Sequence, residues 1–130
     1  MATQKISTLM IVDDDDVDQM MCKRILGRSG LVDTVLGYLY AEEALDHLKG
    51  NQIPSPDILL LDINMPRMTG FEFLEEMSQL PDDVQKPMVV MLTSSGNPSD
   101  KLRASEFESV KGYLTKPLSE ESLRRIIQPE

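Results

Sequence analysis

Five short apolar runs punctuate the chain, at residues 9–12, 35–39, 58–61, 88–92 and 110–114. Longer segments between them carry apolar residues at spacings of three and four. Val17, Met20, Met21, Ile25 and Leu26 form one such stripe, and Ala41, Ala44, Leu45 and Leu48 a second. Phe71, Leu74 and Met77 form a third, Leu102 and Phe107 a weaker fourth, and Leu123, Ile126 and Ile127 close the chain. That spacing puts each stripe on one face of a helix. Near-continuous apolar strands alternating with helices predict a parallel sheet covered on both faces. Right-handed crossovers then give a doubly wound α/β fold, and five strands favour the flavodoxin-like order 2-1-3-4-5. The punctuation agrees. Residues 27–30 (Gly-Arg-Ser-Gly) are expected to end the first helix, Pro54 and Pro56 precede the third strand, and Pro87 precedes the fourth. Ser119 is placed to cap a short last helix.

A length of 130 residues sets the expectation of one domain over 1–130, with its core at about 6–127. A net charge of −9 repels phosphate backbones, which argues against a nucleic-acid partner and favours cations and basic protein patches. No apolar stretch approaches the ~20 residues of a membrane helix, so no membrane partner is expected. Cys22 is the only cysteine, which excludes an internal disulfide and fits a reducing, cytoplasmic setting. His47 is the only histidine and is expected at the surface of the second helix.

The candidate chemistry lies immediately after the apolar runs. The first run leads into Asp13 and Asp14, the third into Asp62, the fourth into Thr93, and the fifth through Thr115 into Lys116. The second, expected at a sheet edge, leads into no reactive group. In a parallel doubly wound sheet these positions share the carboxyl edge, where such folds bind ligands. Like carboxylates ~4 Å apart repel by about 4 kcal/mol per pair at an effective dielectric near 20, so a hard divalent cation with oxygen ligands is expected, Mg²⁺ first. Asp62 is then the natural nucleophile toward phosphorus, with Lys116 and the Thr93 hydroxyl placed to hold phosphoryl oxygens. Asp15, Asp16 and Asp18 have a local explanation as caps and first-turn acids of the first helix.

These residues resemble the response-regulator receiver family, including its chemotaxis-type single-domain members. The matching segments are Ile11-Val12-Asp13-Asp14, residues 60–70 (Leu-Leu-Asp-Ile-Asn-Met-Pro-Arg-Met-Thr-Gly), Met91-Leu92-Thr93-Ser94, and residues 112–117 (Gly-Tyr-Leu-Thr-Lys-Pro). The resemblance implies a two-component phosphorelay protein, phosphorylated as 4-aspartylphosphate on Asp62. It implies Mg²⁺ held by Asp14 directly, by Asp13 through water, by Asp62, and by the backbone carbonyl of Asn64. It makes Thr93 the switch hydroxyl with the small Ser94 beside it, Tyr113 the switch aromatic and Lys116 the phosphoryl-contacting lysine, with a cis Lys116–Pro117 bond. It implies a phosphoacceptor that promotes its own Mg²⁺-dependent phosphorylation and slow dephosphorylation, rather than a classical enzyme. A sensor histidine kinase or a histidine phosphotransfer protein is the implied donor. The output is a protein target, and homodimerisation stays open.

Two stretches depart from the family pattern. Residues 95–100 are rich in helix breakers, so the fourth helix is expected to start late or to be mobile, and residues 106–110 lack the usual glycine turn. Two other readings stay open. One is a pseudo-receiver that binds partners without phosphorylation. The other is a phosphohydrolase of the haloacid-dehalogenase type, against which Asn64 stands where that chemistry needs an acid.

Overall fold

The computed structural model describes residues 6–94 and 97–127. The elements run β1 (Ile6–Val12), α1 (Asp16–Ser29), β2 (Val32–Tyr38), α2 (Ala41–Lys49), β3 (Ile58–Asp62), α3 (Gly70–Ser78), β4 (Met88–Thr93), α4 (Pro98–Ala104), β5 (Val110–Thr115) and α5 (Glu120–Ile127). All strand pairs are parallel and the sheet order is β2-β1-β3-β4-β5, the flavodoxin-like arrangement expected. No helix among the described residues is long and apolar enough to cross a membrane.

The period of two along each strand divides the core into two layers. Met10, Val12, Leu59, Leu61, Val89 and Met91 point to one face, where they meet Ala44 and Leu45 of α2 and Phe73, Leu74 and Met77 of α3. Leu9, Ile11, Ile58, Leu60, Val90 and Leu92 point to the other, against Cys22 and Leu26 of α1 and Leu123 and Ile127 of α5. The central strands are therefore continuously apolar over 9–12, 58–61 and 88–92.

Local signals fix several boundaries. Asp15 caps α1 by accepting from the N–H groups of Val17 and Asp18, and Gly30 ends that helix at φ 71°. The helix continues through Gly27, Arg28 and Ser29, so only the second glycine of that cluster is the stop. Thr69 and Glu72 form a reciprocal capping box at α3. Ser119 accepts from the Ser122 N–H at α5. The fourth helix does start late, at Pro98 behind an Asn97 cap; residues 95 and 96 lie outside the described residues. The turn before β5 closes without glycine, through an N–H of Val110 donating to the carbonyl of Phe107.

Four expectations are corrected. The buried face of α1 is Gln19, Cys22 and Leu26, while Val17, Met20 and Met21 are about half exposed. The reason is polar: the Gln19 amide donates to the carbonyls of Asp13 and Tyr38, so a glutamine joins the helix to the strand ends. Leu102 is 70% exposed and Phe107 lies beyond α4, whose buried residue is Ala104. The second strand begins at Val32, three residues before its apolar run, because edge position tolerates Asp33 and Thr34 on exposed sites.

His47 is buried, not superficial. Its Nε2–H donates to the Pro54 carbonyl at 3.0 Å, which leaves Nδ1 to accept from the Tyr38 hydroxyl at 2.8 Å. His47→Phe keeps the ring volume but strands both partners. It is expected to cost about 1–3 kcal/mol, read as a lower urea midpoint with an unchanged slope.

Candidate functional site

Register brings the candidate residues to one rim. Val12 pairs with Leu61, so Asp13 and Asp62 stand one position further along neighbouring strands. Asp62 pairs with Leu92 and Thr93 with Thr115, which places Thr93 and then Lys116 at the same edge. The backbone locks this edge. The Lys116 N–H donates to the Thr93 carbonyl at 2.7 Å, and the Ile63 N–H to the Leu92 carbonyl at 3.1 Å. The N–H of Gly70, the first residue of α3, donates to the Ile63 carbonyl at 2.8 Å. Asp13 is fixed by the Asp15 N–H, which donates to its Oδ1 at 3.0 Å.

Oxygens of Asp13, Asp14 and Asp62 lie within 4.8 Å of one another; Asp13 and Asp62 are buried and Asp14 is exposed. The Lys116 ammonium stands 2.7 Å from Asp13 Oδ2, 3.1 Å from Asp18 Oδ2 and 3.5 Å from Asp62 Oδ1. Burial and the neighbouring Asp13 charge, with a smaller push from Asp14, raise the Asp62 carboxyl to about 6 against the pull of Lys116. Burial also raises Asp13, opposed by its bonds to Lys116 and to the Asp15 N–H. Burial works against the Lys116 charge, but the carboxylates of Asp13, Asp18 and Asp62 outweigh it and hold the ammonium protonated beyond its ordinary range. Cys22, close beneath, is pushed up to about 12 by burial and by Asp13, and stays an inert thiol.

One ammonium among four carboxylates leaves the rim short of positive charge. The donor set is all oxygen, open on the Asp14 side, and spaced within reach of a single small ion. That fits a hard divalent cation such as Mg²⁺, which keeps several waters and takes few protein carboxylates. Asn64, the fourth expected ligand, lies exposed in the β3–α3 loop two residues past Asp62.

Thr93 is buried at the end of β4, beside the strand that carries Asp62. Ser94 follows it and is exposed. Tyr113 sits elsewhere, across from Met91, and packs against the α2–α3 side of the core. Its hydroxyl is buried without a hydrogen-bond partner among the described residues, and the Lys101 ammonium lies 5.3 Å above its ring. The Lys116–Pro117 bond is cis, as the resemblance implied.

Two participants were not anticipated. Asp18 reaches Lys116 from α1. Arg67, at φ 70° in the β3–α3 loop, pairs with Glu42 at 3.1 Å and stacks over Tyr40 at 4.3 Å, tying that loop to the start of α2. Arg67 stands within the matching 60–70 segment, but its partners are 25 and 27 residues earlier, so no local signal could reveal them.

Known proteins resemble this chain in sequence and in fold. Response regulator Rcp1 of Synechocystis sp. is 32% identical over 125 residues, covering 92% of this chain and 83% of Rcp1. A two-component response regulator from Cytophaga hutchinsonii superposes with a TM-score of 0.85 at 27% identity, over 95% of each chain. A response regulator receiver protein from Dyadobacter fermentans does so with a TM-score of 0.81 at 32% identity, over 93% of this chain and 94% of its own. Residues 9–128 match the family described as the response regulator receiver domain. The strand order, the acidic rim and these matches agree: the chain belongs to the response regulator receiver family.

Proposed function

We propose that the chain is a receiver, one domain over residues 1–130, that accepts a phosphoryl group on Asp62 and signals through a change of surface. One observation carries this reading: Asp13, Asp14 and Asp62 converge at the carboxyl edge of the sheet with Lys116 across them. A carboxylate oxygen of Asp62 bonds to phosphorus as the bond to the donor's leaving group breaks, and the electron pair departs with that group. With a phosphohistidine donor the leaving atom is an imidazole nitrogen, so a sensor histidine kinase or histidine phosphotransfer protein suits the site. Asp13, Asp14, Asp62 and the Asn64 carbonyl would hold Mg²⁺, which when bound neutralises the transferring oxygens. Lys116 takes one phosphoryl oxygen and the Thr93 hydroxyl another. Differential contacts of this kind are what shift a two-state equilibrium, and Tyr113 is positioned on β5 to respond. The readout is a protein target reached from the cytoplasm.

Incubation with acetyl phosphate tests the reading. One phosphoryl group per chain is expected in Mg²⁺, none in a chelator, with the label mapped to Asp62 by peptide mass spectrometry. Label on another residue overturns the assignment. Absence of label favours a phosphorylation-independent interaction module, and multiple-turnover phosphate release from simple phosphomonoesters would indicate a phosphohydrolase.

A further inference from the structure

Lys116 has three N–H donors, and its two shortest ionic contacts are with Asp13 and Asp18, not with Asp62. Asp18 belongs to the first turn of α1, where its own N–H is fixed to the Asp15 side chain at 3.2 Å. Its carboxylate is therefore presented by a rigid element. It is not one of the carboxylates whose oxygens gather within 4.8 Å. Asp13 stands inside that group, next to Asp62. The three N–H groups already face Asp13, Asp18 and Asp62, so a phosphoryl oxygen at Asp62 would be a further acceptor competing with Asp18 for a donor.

We propose that Asp18 is a positioning residue that restrains Lys116 in the unphosphorylated protein and competes with the phosphoryl group for its ammonium. The restraint rests on the phosphoacceptor reading above. Its effect is to bias the chain against the phosphorylated arrangement, since a contact made in one state only shifts the balance toward that state. The Asp18 side chain is about two-fifths exposed and that of Lys116 about one-sixth. A partly exposed pair of this kind corresponds to roughly a two- to fivefold change in an equilibrium.

The probe is beryllofluoride with Mg²⁺, a non-covalent phosphoryl analogue, titrated by amide NMR. Asp18→Asn should tighten its binding about two- to fivefold. Asp16→Asn removes the same charge from the same helical turn, without a contact to Lys116, and should leave the affinity close to that of the parent protein. Asp18→Glu keeps a carboxylate within reach and should resemble the parent protein. The Lys116 side-chain resonances should move in Asp18→Asn and stay in place in Asp16→Asn, which a general charge effect would not produce. Parent protein that binds no beryllofluoride, or binds it equally after Asp62→Asn, would sink the phosphoacceptor reading and the Asp18 restraint with it. Specific binding that Asp18→Asn and Asp16→Asn alter alike, or that Asp18→Asn weakens, overturns the restraint alone.

Discussion

Asp62→Asn is expected to end phosphoryl incorporation and, in the same molecule, to raise the melting temperature of the metal-free protein. The loss follows from chemistry, because an amide oxygen is a poor nucleophile toward phosphorus. The gain follows from electrostatics. Asp62 is buried beside Asp13, and its carboxyl is raised from 3.8 to about 6. The folded state therefore holds that proton more tightly than the unfolded chain does. Between about pH 4 and pH 6 the folded form binds more protons, and its stability falls as pH rises through that window. Above it the full penalty is present. Two pH units correspond to about 2–3 kcal/mol, or roughly 5–10 °C for a domain of this size. The Asn variant lacks the titrating group, so the difference between the two proteins should open between pH 4 and 6 and stay level above. Millimolar Mg²⁺ should narrow it, since an ion bound only by the folded acid form stabilises that form. Thermal melts at pH 4, 6 and 8, with and without Mg²⁺, measure all of this. A variant that melts lower at pH 8 in the absence of metal would refute the account.

Gly70→Ala should damage the same residue from behind. A Cβ at position 70 would lie 2.5 Å from the Asp62 carbonyl oxygen, 3.1 Å from Ile63 Cα and 3.3 Å from the Asp62 carbonyl carbon. All three are backbone atoms, which cannot swing aside as a side chain would. Helix α3 must back away from β3, or Asp62 must shift. Overpacking of this kind costs about 1–3 kcal/mol, and here the strain falls on the backbone that carries the proposed acceptor. Phosphorylation by acetyl phosphate should slow at least tenfold while the urea midpoint drops. Gly27→Ala is the natural comparison: nothing lies within 4 Å of its Cβ, and it sits inside α1. That change should add about 0.5–1 kcal/mol of stability through helix propensity. Equal phosphorylation rates for Gly70→Ala and the parent protein would show that the close approach is not needed.

The sheet and its reactive rim were legible in the sequence for one reason. A strand buried on both faces needs a continuous apolar run, and the residue that breaks the run is the one at the rim. Asp13, Asp62 and Thr93 follow directly from that rule, with Lys116 one residue further on, past Thr115 of the edge strand, whereas helix faces were less legible. In α1 the apolar residues Val17, Met20 and Met21 outline a face that stays exposed. The buried face includes Gln19, held there by hydrogen bonds to two carbonyls that periodicity cannot register. His47 was misplaced on the same grounds, since its partners come from β2 and from the Pro54 carbonyl. Phe73 was missed because Phe71 and Leu74 already accounted for the third stripe, yet it is fully buried. Asp18 was hidden by a sufficient local explanation, because an acid in the first turn of a helix is ordinary. Its second role depends on a lysine 98 residues away.

The Tyr113 hydroxyl shapes how that ring can behave. Packed inward, the oxygen gives up hydration without gaining a partner, a penalty of about 1–3 kcal/mol. The ring's apolar contacts pull the other way. The two tendencies oppose each other within a single side chain, which leaves the inward placement shallower than its apolar contacts alone would make it. Under the proposed signalling reading, a small perturbation at the far end of β5 would be enough to tip the ring, with the strand acting as a lever under a light catch.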